Sequence, residues 1–519
     1  MKQAASIFND VLGPIMTGPS SSHTAGPCRI GLVGHQLCLG AEPTSLEIRF
    51  DRKGSFAASY NLQGTDRGLV GGLVGLWPDS EGLRTVLTDV AKRGIQVRFL
   101  IDDFEADHPN TAKSTVRTKA ETLELTGQSI GGGMFRVIEV NGYHVEIRGD
   151  FYELLVVTEP EYEAKITALL PETGREELNR DRKDGRLLLH AKYSAALTPE
   201  CLAALRAEKH ALWVRYLEPV MPILSGKASQ APFSTNQELM EWIAKTGTEY
   251  WEAGAYYELR RGHTTKEDVY QKMEHIADVM RESVMDGLDH PIHGQIIPAR
   301  AAAYAAMGKA NKLIPLGVMN TAMAWSMAVV EVNSRYGKLV AAPTGGACGV
   351  IPGAILGTAE ELGLSKDDVV KALFAAGIVG VFIAEHATFA AEIASCQAEC
   401  GAGSAMAAAG VAQLFGGTPA QCAAAASMAL QNVLGMICDS VADLVEVPCL
   451  GRNVLGTVNA IVCANMALAG VPEVIPLDET IASMLEVGNL MPSELCCTGK
   501  GGLAVTETSK CLKCKLGYC

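Results

Sequence analysis

The second half of the sequence is dominated by long helical patterns that are rich in Ala and Gly. These patterns begin at Asn236, and Thr235 stands three residues before Glu238, which is the spacing of a capping box at a helix N-terminus. Only 6% of the residues are aromatic. Small side chains let helices pack closely, so we predict a mostly α-helical C-terminal domain over residues 236–519.

The first half has a different pattern and predicts two smaller α+β units. Residues 1–150 alternate Gly turns with candidate strands at 45–50, 97–101, 135–140 and 144–147. Residues 151–219 predict the order strand, helix, charged turn, strand, helix, strand, which resembles a small ACT-type regulatory module. Residues 220–235 hold two prolines among small polar residues, and they are the predicted linker. A chain of 519 residues is too long for a single core.

The net charge argues against two classes of partner. The chain has 44 basic and 58 acidic side chains, and the formal net charge of −14 repels nucleic-acid phosphates and anionic lipid surfaces. The N-terminal segment lacks the long apolar core of a secretory signal. The Ala-rich stretches 401–415 and 454–470 contain Gly and polar residues, and they predict buried helices rather than membrane spans. We therefore expect a cytoplasmic protein that binds neither nucleic acid nor membrane.

The cysteines are concentrated in the helical half. Of the 15 cysteines, only Cys28, Cys38 and Cys201 precede residue 300. Thiols of a large cytosolic protein stay reduced, so a disulfide scaffold is not expected. Cysteines in Ala-rich helices, such as Cys422 and Cys463, are predicted to pack in the core as small apolar side chains.

Two other segments have the composition of a metal or cluster site. ASCQAECGAG holds Cys396 and Cys400, and MICDSVADLVEVPC holds Cys438 and Cys449. Thiolates are the soft ligands of iron–sulfur clusters, and neighbouring Gly or Pro lets the backbone approach the inorganic sulfides. The spacing does not match the ferredoxin patterns. From the residues alone, a metal or cluster site and plain core packing both stay open.

Three polar or glycine-rich loops can bind an anion. Gly18–Pro27 (GPSSSHTAGP) packs serines, His23 and Thr24 between Gly-Pro turns, and an ordinary helix N-cap is the alternative. Ala341–Gly353 and Gln128–Gly133 have the Gly density of a backbone nest without the ending of a P-loop. Histidines beside proline, at His108, His290 and His293, fit either ligands or turn residues.

Taken together, these motifs resemble the iron–sulfur-dependent L-serine dehydratases (L-serine ammonia-lyases), in a single-chain form with the β-type portion before the α-type portion. The resemblance covers most of the chain. It is carried by the segments Gly18–Gly26, Gly54–Ser59, Gly64–Asp66, His108–Thr111, Ser129–Gly133, Ala342–Gly349, Cys396–Gly401, Ser404–Gly410, Cys438–Cys449 and Gly501–Ala504.

The resemblance implies the ligands of a four-iron four-sulfur cluster. Cys396, Cys438 and Cys449 match the three cysteines that hold the cluster and leave one iron without a permanent protein ligand. Cys519 matches a C-terminal cysteine that caps this iron, and Cys511 and Cys514 are the alternatives. An open iron is a Lewis acid that helps the hydroxyl of L-serine to leave, so pyruvate and ammonia form without pyridoxal phosphate.

The resemblance also implies a substrate site for a small amino acid, and we expect a homodimer. The predicted catalytic residues are Ser21, Ser22, His23 and Thr24, with His23 as the candidate acid or base. The predicted substrate-binding residues are Ser20, Gln63, Thr65, Asp66, His108, Asn110, Thr344, Gly345 and Gly346.

The sequence departs from the family pattern at several positions. Many relatives have His where this chain has Gln63, and they commonly have Arg-Glu where it has Cys496–Cys497. Gly345 replaces Asn or Ala, and Ser440 and Asp443 replace Pro and Gly. Two alternative functions therefore stay open. One is desulfidation of cysteine, or lysis of another β-substituted amino acid, on the same cluster; the other is a non-catalytic amino-acid or redox sensor.

The C-terminal cysteine predicts slow activation. If Cys519 caps the open iron, substrate must displace an intramolecular ligand that is held at a high effective concentration. We expect a lag in progress curves that disappears in Cys519→Ser, together with faster oxidative loss of the cluster. If deletion of Leu516–Cys519 changes neither the lag nor the oxygen sensitivity, Cys519 is not the cap, and Cys511 or Cys514 is tested next.

Overall fold

The computed structural model describes residues 4–226, 231–262 and 264–517 of the chain. Its N-terminal part combines sheets with helices, and its C-terminal part is mostly helical. This arrangement confirms the predicted fold class. The candidate cap Cys519 lies outside the described residues.

The N-terminal domain is built on a six-stranded sheet. Strand β1 (Ile15–Thr17) precedes this sheet and is not part of it. The strands of the sheet are β2 (Ser45–Asp51), β3 (Gln96–Asp102), β4 (Thr111–Arg117), β5 (Thr122–Gly131), β6 (Met134–Val140) and β7 (Tyr143–Ile147). The order across the sheet is β3-β2-β4-β5-β6-β7, and only β2 and β3 pair in parallel. The four predicted strands are confirmed. Strands β4 and β5 were not predicted, because their Thr, Lys, Glu and Gly residues have weak apolar character.

Helices cover one face of this sheet. They are α1 (Gly26–Leu37), α2 (Ser55–Ser59), α3 (Thr65–Leu73) and α4 (Val86–Lys92). Helix α1 packs on β5 and against α3. The two helices approach closely because glycines face each other: a Cβ on Gly31 would lie 2.5 Å from the carbonyl oxygen of Leu69, and one on Gly72 would lie 2.0 Å from that of Cys28.

The next unit is a four-stranded antiparallel sheet with two helices. Its elements are β8 (Tyr152–Thr158), α5 (Glu163–Leu169), β9 (Arg175–Lys183), β10 (Arg186–Tyr193), α6 (Pro199–Ala207) and β11 (Trp213–Leu217). The sheet order is β11-β8-β10-β9, so the unit is a βαββαβ fold of the ferredoxin-like type, as expected of an ACT-like module. The predicted charged turn is wrong, because it contains β9. Edge strands often carry charged side chains that prevent pairing with other chains. Because β9 is such a strand, it lacks the alternating apolar residues by which a strand is predicted from sequence.

The predicted linker is docked on the preceding domain. The backbone N–H groups of Val220 and Met221 donate to the carbonyl oxygen of Gly149 at 2.8 and 2.9 Å. That of Ser225 donates to the carbonyl oxygen of Asp150 at 2.9 Å. Because these residues are also buried, the chain enters the helical domain along a fixed path.

The helical domain contains thirteen α-helices among the described residues. They are α7 (Asn236–Thr246), α8 (Tyr250–Arg261), α9 (Lys266–Asp289), α10 (Ala301–Lys309), α11 (Val318–Ser334), α12 (Gly357–Leu362), α13 (Lys366–His386), α14 (Ala391–Ala394), α15 (Cys400–Leu414), α16 (Pro419–Gln431), α17 (Cys449–Leu468), α18 (Leu477–Leu490) and α19 (Glu507–Lys515). Thr235 caps α7 by accepting from the N–H of Glu238 at 3.2 Å. The Glu238 carboxylate accepts from the N–H of Ser234, so only half of the predicted capping box forms.

Helices α13 and α15 form the centre of this domain. Helix α15 packs against α13, α16 and α17, and nearly all of its residues are buried. Within the described ranges, α13 is the one helix that is long and apolar enough to cross a membrane. Of its most apolar 18-residue window, 78% is buried inside the protein, so it is packed as a core helix.

A two-stranded ladder joins the N-terminal domain to the helical domain. Strand β1 pairs antiparallel with β12 (Lys338–Val340), and Ile15 lies opposite Val340. The chain after β1 and the chain after β12 are the two loops that the sequence singled out, Gly18–Pro27 and Ala341–Gly353. Because the strands are antiparallel, the two loops leave the ladder at opposite ends, and they meet through the hydrogen bond from Gly345 to Ser21 and through Asn333, which bonds both loops.

The close contact of α1 with α3 can be tested by adding one methyl group. Gly72→Ala forces backbone atoms apart, and we expect it to destabilise the protein by about 1–3 kcal/mol. The control is Gly308→Ala in α10, where the nearest atom would be 4.0 Å away and helix propensity favours Ala by about 0.5–1 kcal/mol. Urea unfolding of both variants measures the difference. Equal stability would show that the close approach is not required.

Candidate active site

The serine-rich loop forms a short helical turn that continues into α1. Ser20 caps this turn, because its Oγ accepts from the N–H of His23 at 3.2 Å. The N-cap interpretation of the loop is therefore correct for Ser20. The side chains of Ser22 and His23 point elsewhere, toward a glutamate of the helical domain, and Ser21 binds the glycine loop described below.

Glu392, on α14, collects three side chains of the N-terminal domain. Its Oε1 accepts from Ser22 Oγ at 2.9 Å and from Asn110 Nδ2 at 3.1 Å. It lies 3.4 Å from Nδ1 of His23. The second carboxylate oxygen, Oε2, is buried and has no hydrogen-bond partner among the described residues. No sequence motif includes Glu392, and its signal is a position four residues before Cys396.

Burial controls the charges of this group. The imidazole of His23 is fully buried, and burial lowers its pKa although Glu392 opposes the shift. The ring is therefore neutral near pH 7 and can accept a proton. Its Nε2 lies 3.2 Å from Ser55 Oγ. The hydrogen bonds that Asn110 and Ser22 donate to Glu392 favour its ionised carboxylate.

The glycine-rich loop after β12 packs directly on the serine loop. Thr344 caps the turn Gly345–Ala347, and the N–H of Gly345 donates to Ser21 Oγ at 3.2 Å. Asn333, at the end of α11, bridges the two loops. Its Nδ2 donates to the carbonyl oxygens of Pro19 at 2.8 Å and of Gly345 at 3.0 Å.

The predicted cysteine ligands lie close to the glycine-rich loop. The Sγ atoms of Cys396 and Cys438 and a carboxylate oxygen of Glu399 all lie within 4.8 Å of one another. Cys449 begins α17, and its thiol lies 3.6 Å from Ser440 Oγ. Burial and the neighbouring Cys396 raise the pKa of Cys449. All three cysteines are buried.

Polar side chains of α17 and α15 surround the thiols. Arg452 Nη1 lies 3.7 Å from Cys396 Sγ, and Nη2 donates to Asp439 Oδ1 at 2.7 Å. Asn453 Nδ2 donates to the carbonyl oxygens of Gly346 at 2.7 Å and Cys449 at 2.9 Å. These contacts tie the cysteine loops to the glycine loop.

One carboxyl group, of Glu399, and one thiol, of Cys497, were not predicted as part of the site. Burial raises the pKa of Glu399 to about 7, and its Oε1 accepts from Thr344 Oγ1 at 2.7 Å. Cys497 packs against Cys396 and Cys438, and its N–H donates to the carbonyl oxygen of Cys438 at 3.3 Å. Cys497 stands where relatives commonly have Glu, so the departure from the family pattern adds a thiol beside the predicted ligands.

Comparisons with known proteins agree with the resemblance found in the sequence. The family model described as the serine dehydratase alpha chain matches residues 188–504, more than half of the chain. The chain belongs to this serine dehydratase family.

Relatives of the family cover both halves of the chain. A probable L-serine dehydratase alpha chain of Bacillus subtilis is 40% identical over 253 residues, which are 49% of this chain and 84% of that protein. The probable beta chain of the same organism is 43% identical over 152 residues, 29% of this chain and 67% of that protein. An L-serine dehydratase of Streptomyces coelicolor is 27% identical over 514 residues, 97% of this chain and 99% of that protein.

Other residues that the family resemblance singled out lie around the same loops. Gln63 is buried. Its side-chain Nε2 donates to the backbone carbonyl oxygen of Asp443 at 3.3 Å, and its backbone carbonyl oxygen accepts from Thr24 Oγ1 at 2.8 Å. Gln63 thus connects the serine loop to the loop between Cys438 and Cys449. Thr65 and Asp66 are buried at the start of α3.

The histidines beside proline are separated by the fold. His108 is partly buried, and its Nδ1 accepts from the N–H of Asn110 at 3.1 Å, so it shapes the turn that presents Asn110 to Glu392. His290 and His293 are exposed after α9. The turn interpretation is supported for His108.

The departure at Gly345 has a physical reason in this chain. A Cβ on Gly345 would lie 2.9 Å from the backbone nitrogen of Ser21 and 3.2 Å from the carbonyl oxygen of Pro19. The Asn or Ala of relatives would push the serine loop away. Similarly, a Cβ on Gly346 would lie 2.8 Å from Oε1 of Glu399.

The bridge by Asn333 predicts a large loss of stability on substitution. Asn333→Leu removes both donated hydrogen bonds, and with them the side-chain donor of the carbonyl of Pro19 and the shorter of the two hydrogen bonds to the carbonyl of Gly345. We expect a loss of about 2–4 kcal/mol in the free energy of unfolding. The control Asn432→Leu, on an exposed side chain that bonds Asn459 Oδ1, is expected to cost less than about 1 kcal/mol. Similar losses in both variants would contradict the bridging role.

Proposed function

We propose that the protein eliminates water from L-serine and releases pyruvate and ammonia, on an iron–sulfur cluster held by Cys396, Cys438 and Cys449. The observation that carries the proposal is the group of Cys396, Cys438 and Glu399, whose ligand atoms lie within 4.8 Å of one another and which the Glu399–Thr344 hydrogen bond connects to the glycine loop. The full-length relative named L-serine dehydratase supports the choice of substrate.

The residues around the thiols fit an iron–sulfur cluster. The donor set is soft, buried and held on two separate loops, as cluster ligands are. Arg452 places a positive charge 3.7 Å from Cys396 Sγ, which offsets the negative charge that thiolate ligands bring. Gly346 keeps side-chain atoms out of the space next to Glu399. When bound, the cluster supplies a Lewis-acidic iron that makes the substrate hydroxyl a better leaving group.

Glu392 and His23 have complementary roles in this proposal. The unpartnered Oε2 of Glu392 accepts a hydrogen bond from the substrate ammonium group, because a buried carboxylate oxygen without a partner favours a cation. The neutral imidazole of His23 accepts the α-proton, and its contact with Glu392 stabilises the imidazolium that forms.

The two loops bind the substrate carboxylate and close the site. Ser20 and Ser21 donate their hydroxyl protons to the carboxylate, because their Oγ atoms are acceptors in the contacts described above. Ser22 and Thr24, whose hydroxyls donate to Glu392 and to the carbonyl of Gln63, position the loop. Thr344, Gly345 and Gly346 form the opposite wall. Gln63 and Asn110 hold the surrounding loops through the contacts described above. Cys497 and the C-terminal Cys519 are the two candidates for a further thiolate at the cluster.

One departure from the family pattern favours a substrate whose leaving group is better than hydroxide. Gln63 stands where relatives have His, and a neutral amide does not titrate near neutral pH, so it cannot protonate a departing hydroxide. Thiolate needs no such assistance. Elimination of sulfide from L-cysteine is therefore the second candidate reaction of the same site.

We also propose a cytoplasmic homodimer. Buried free thiols such as Cys348 and Cys422 fit a reducing compartment. Leu455, Val462 and Met466 are exposed on α17 at helical spacing, and such an apolar stripe favours contact with a second copy.

The proposal predicts which cysteines hold iron. In protein purified without oxygen, Cys396→Ser is expected to remove the visible absorbance, most of the bound iron and more than about 99% of pyruvate formation from L-serine, since the open iron carries the chemistry. The matched control is Cys422→Ser, on a buried core cysteine whose thiol donates to the carbonyl of Gly417 at 3.7 Å.

The same preparation separates the candidate reactions. Pyruvate from L-serine supports the dehydratase, and sulfide from L-cysteine without pyruvate from L-serine supports the desulfidase. A colourless, air-stable and fully active wild-type protein would exclude the cluster, and loss of iron in Cys422→Ser would exclude the ligand assignment.

A further inference from the structure

A short chain segment after α18 pairs with the loop that carries Cys438. The N–H of Cys438 donates to the carbonyl oxygen of Leu495 at 2.9 Å, and the N–H of Cys497 donates to the carbonyl oxygen of Cys438 at 3.3 Å. The carbonyl oxygen of Leu495 also accepts from Ser395 Oγ at 2.8 Å. Because Ser395 directly precedes Cys396, this segment is bonded to two of the loops that carry the predicted ligands.

A second anchor holds the chain on the other side of Cys497. The N–H of Leu503 donates to Asp439 Oδ2 at 2.8 Å, and a Cβ on Gly502 would lie 2.4 Å from the same oxygen. Asp439 directly follows Cys438 in the chain. The segment that contains Cys497 is therefore fixed at both ends beside the cysteine loops.

Three thiols meet at this place. The thiol of Cys438 lies next to those of Cys396 and Cys497, and Cys497 packs against both side chains. The backbone of Cys497 has a φ of +57°, a conformation that residues other than glycine rarely adopt, so the surrounding contacts hold it there. The neighbouring thiol of Cys496 faces its own turn and donates to the carbonyl oxygen of Pro492 at 3.6 Å.

Two other cysteines of the helical domain have different surroundings. The thiol of Cys400 contacts the carbonyl oxygen of Gly346 at 3.9 Å and accepts from Asn453 Nδ2 at 3.7 Å. Cys511, on α19, is exposed. A four-iron four-sulfur cluster commonly has four cysteine ligands, and the ligands assigned above are three. Among the described cysteines, Cys497 is the best placed to supply the fourth.

We propose that Cys497 is the fourth thiolate ligand of the cluster in the resting protein, and that substrate competes with it for the same iron. The assignment rests on the cluster of the proposed function. It gives the role of resting cap to an internal loop instead of the C-terminal Cys519. Because the loop is anchored on both sides, its thiol is held at a high effective concentration.

The assignment is tested on the full chain, purified without oxygen and enriched in the Mössbauer isotope of iron. In the wild type, all irons of the cluster are expected to have equivalent sulfur coordination, because each has one cysteine ligand. In Cys497→Ser, one iron should separate in the spectrum, since oxygen replaces sulfur at that iron. The matched control is Cys496→Ser, the same substitution one residue away, which should keep the wild-type spectrum.

Two further measurements follow the same iron. Release of iron to a ferrous chelator should be about 10-fold faster or more in Cys497→Ser, because removing a group at a metal site commonly costs that much affinity. The rate should be unchanged in Cys496→Ser. Wild-type protein frozen with excess L-serine should show one separated iron, and an unchanged spectrum would overturn the competition with substrate.

Urea unfolding of cluster-free protein distinguishes a lost ligand from a lost structural contact. Without the cluster, Cys497→Ser and Cys496→Ser are expected to unfold at the same urea concentration as the wild type. A large decrease in Cys497→Ser alone would assign its thiol a structural role and overturn the proposal.

The spectra provide the remaining contrary results. An unchanged spectrum and release rate in Cys497→Ser would overturn the assignment, as would equal changes in Cys496→Ser. A separated iron in Cys400→Ser or Cys519→Ser, but not in Cys497→Ser, would give the role to that cysteine. A wild type that holds the cluster but forms no pyruvate would refute the proposed reaction and leave the assignment intact, whereas a wild type that binds no iron would refute both.

Discussion

The pairing of β1 with β12 is the contact on which the active site depends. These two short strands are more than 300 residues apart in the chain, and they carry the serine loop and the glycine loop at their ends. The ladder holds the two domains together, and the two loops, which leave it at opposite ends, meet through the hydrogen bond from the N–H of Gly345 to Ser21 Oγ. Asn333 then bonds both loops, and Glu392 gathers the side chains of Ser22, His23 and Asn110.

Burial gives these polar groups their chemical character. A neutral imidazole, an ionised carboxylate and a carboxyl group with a pKa near 7 lie around the cysteine loops because each has different partners. Solvent would reduce these differences. The domain interface therefore contributes to the chemistry as well as to the fold, since it excludes water from groups that come from different halves of the chain.

The sequence predicted the parts of this site that lie in motifs. The predicted cysteines Cys396 and Cys438 converge with Glu399, and the family assignment is confirmed. Glu392 could not be predicted, because a lone glutamate in an Ala-rich segment has no local pattern and its role depends on partners far away in the chain. Arg452 and Asn453 were missed for the same reason, although polar residues one turn after Cys449 on a buried helix are a usable signal.

The secondary-structure predictions were correct where the signal lies in the local sequence, and they failed where an element depends on distant parts of the chain. Strands with alternating apolar residues were predicted, and the helical domain was recognised from its composition. Strand β9 was missed because its charged residues suit an edge position, which only the completed sheet defines. The roles of the individual site residues stay predictions, because the fold supplies their positions and not their reactivity.

Both ends of the described chain make specific contacts with the helical domain. Near the start, the carbonyl of Ala4 binds Arg261 and the N–H of Ala5 binds Glu385. Near the end, α19 holds the loop between Cys438 and Cys449, because Ser509 Oγ accepts from the N–H of Ala442 at 2.9 Å and Lys513 pairs with Asp443. Affinity tags are usually fused to a terminus on the assumption that it is remote from function. In this protein a tag placed beside either of these two segments would pull on contacts with the helical domain, so an internal surface loop such as Asp184–Gly185 is the better place for one.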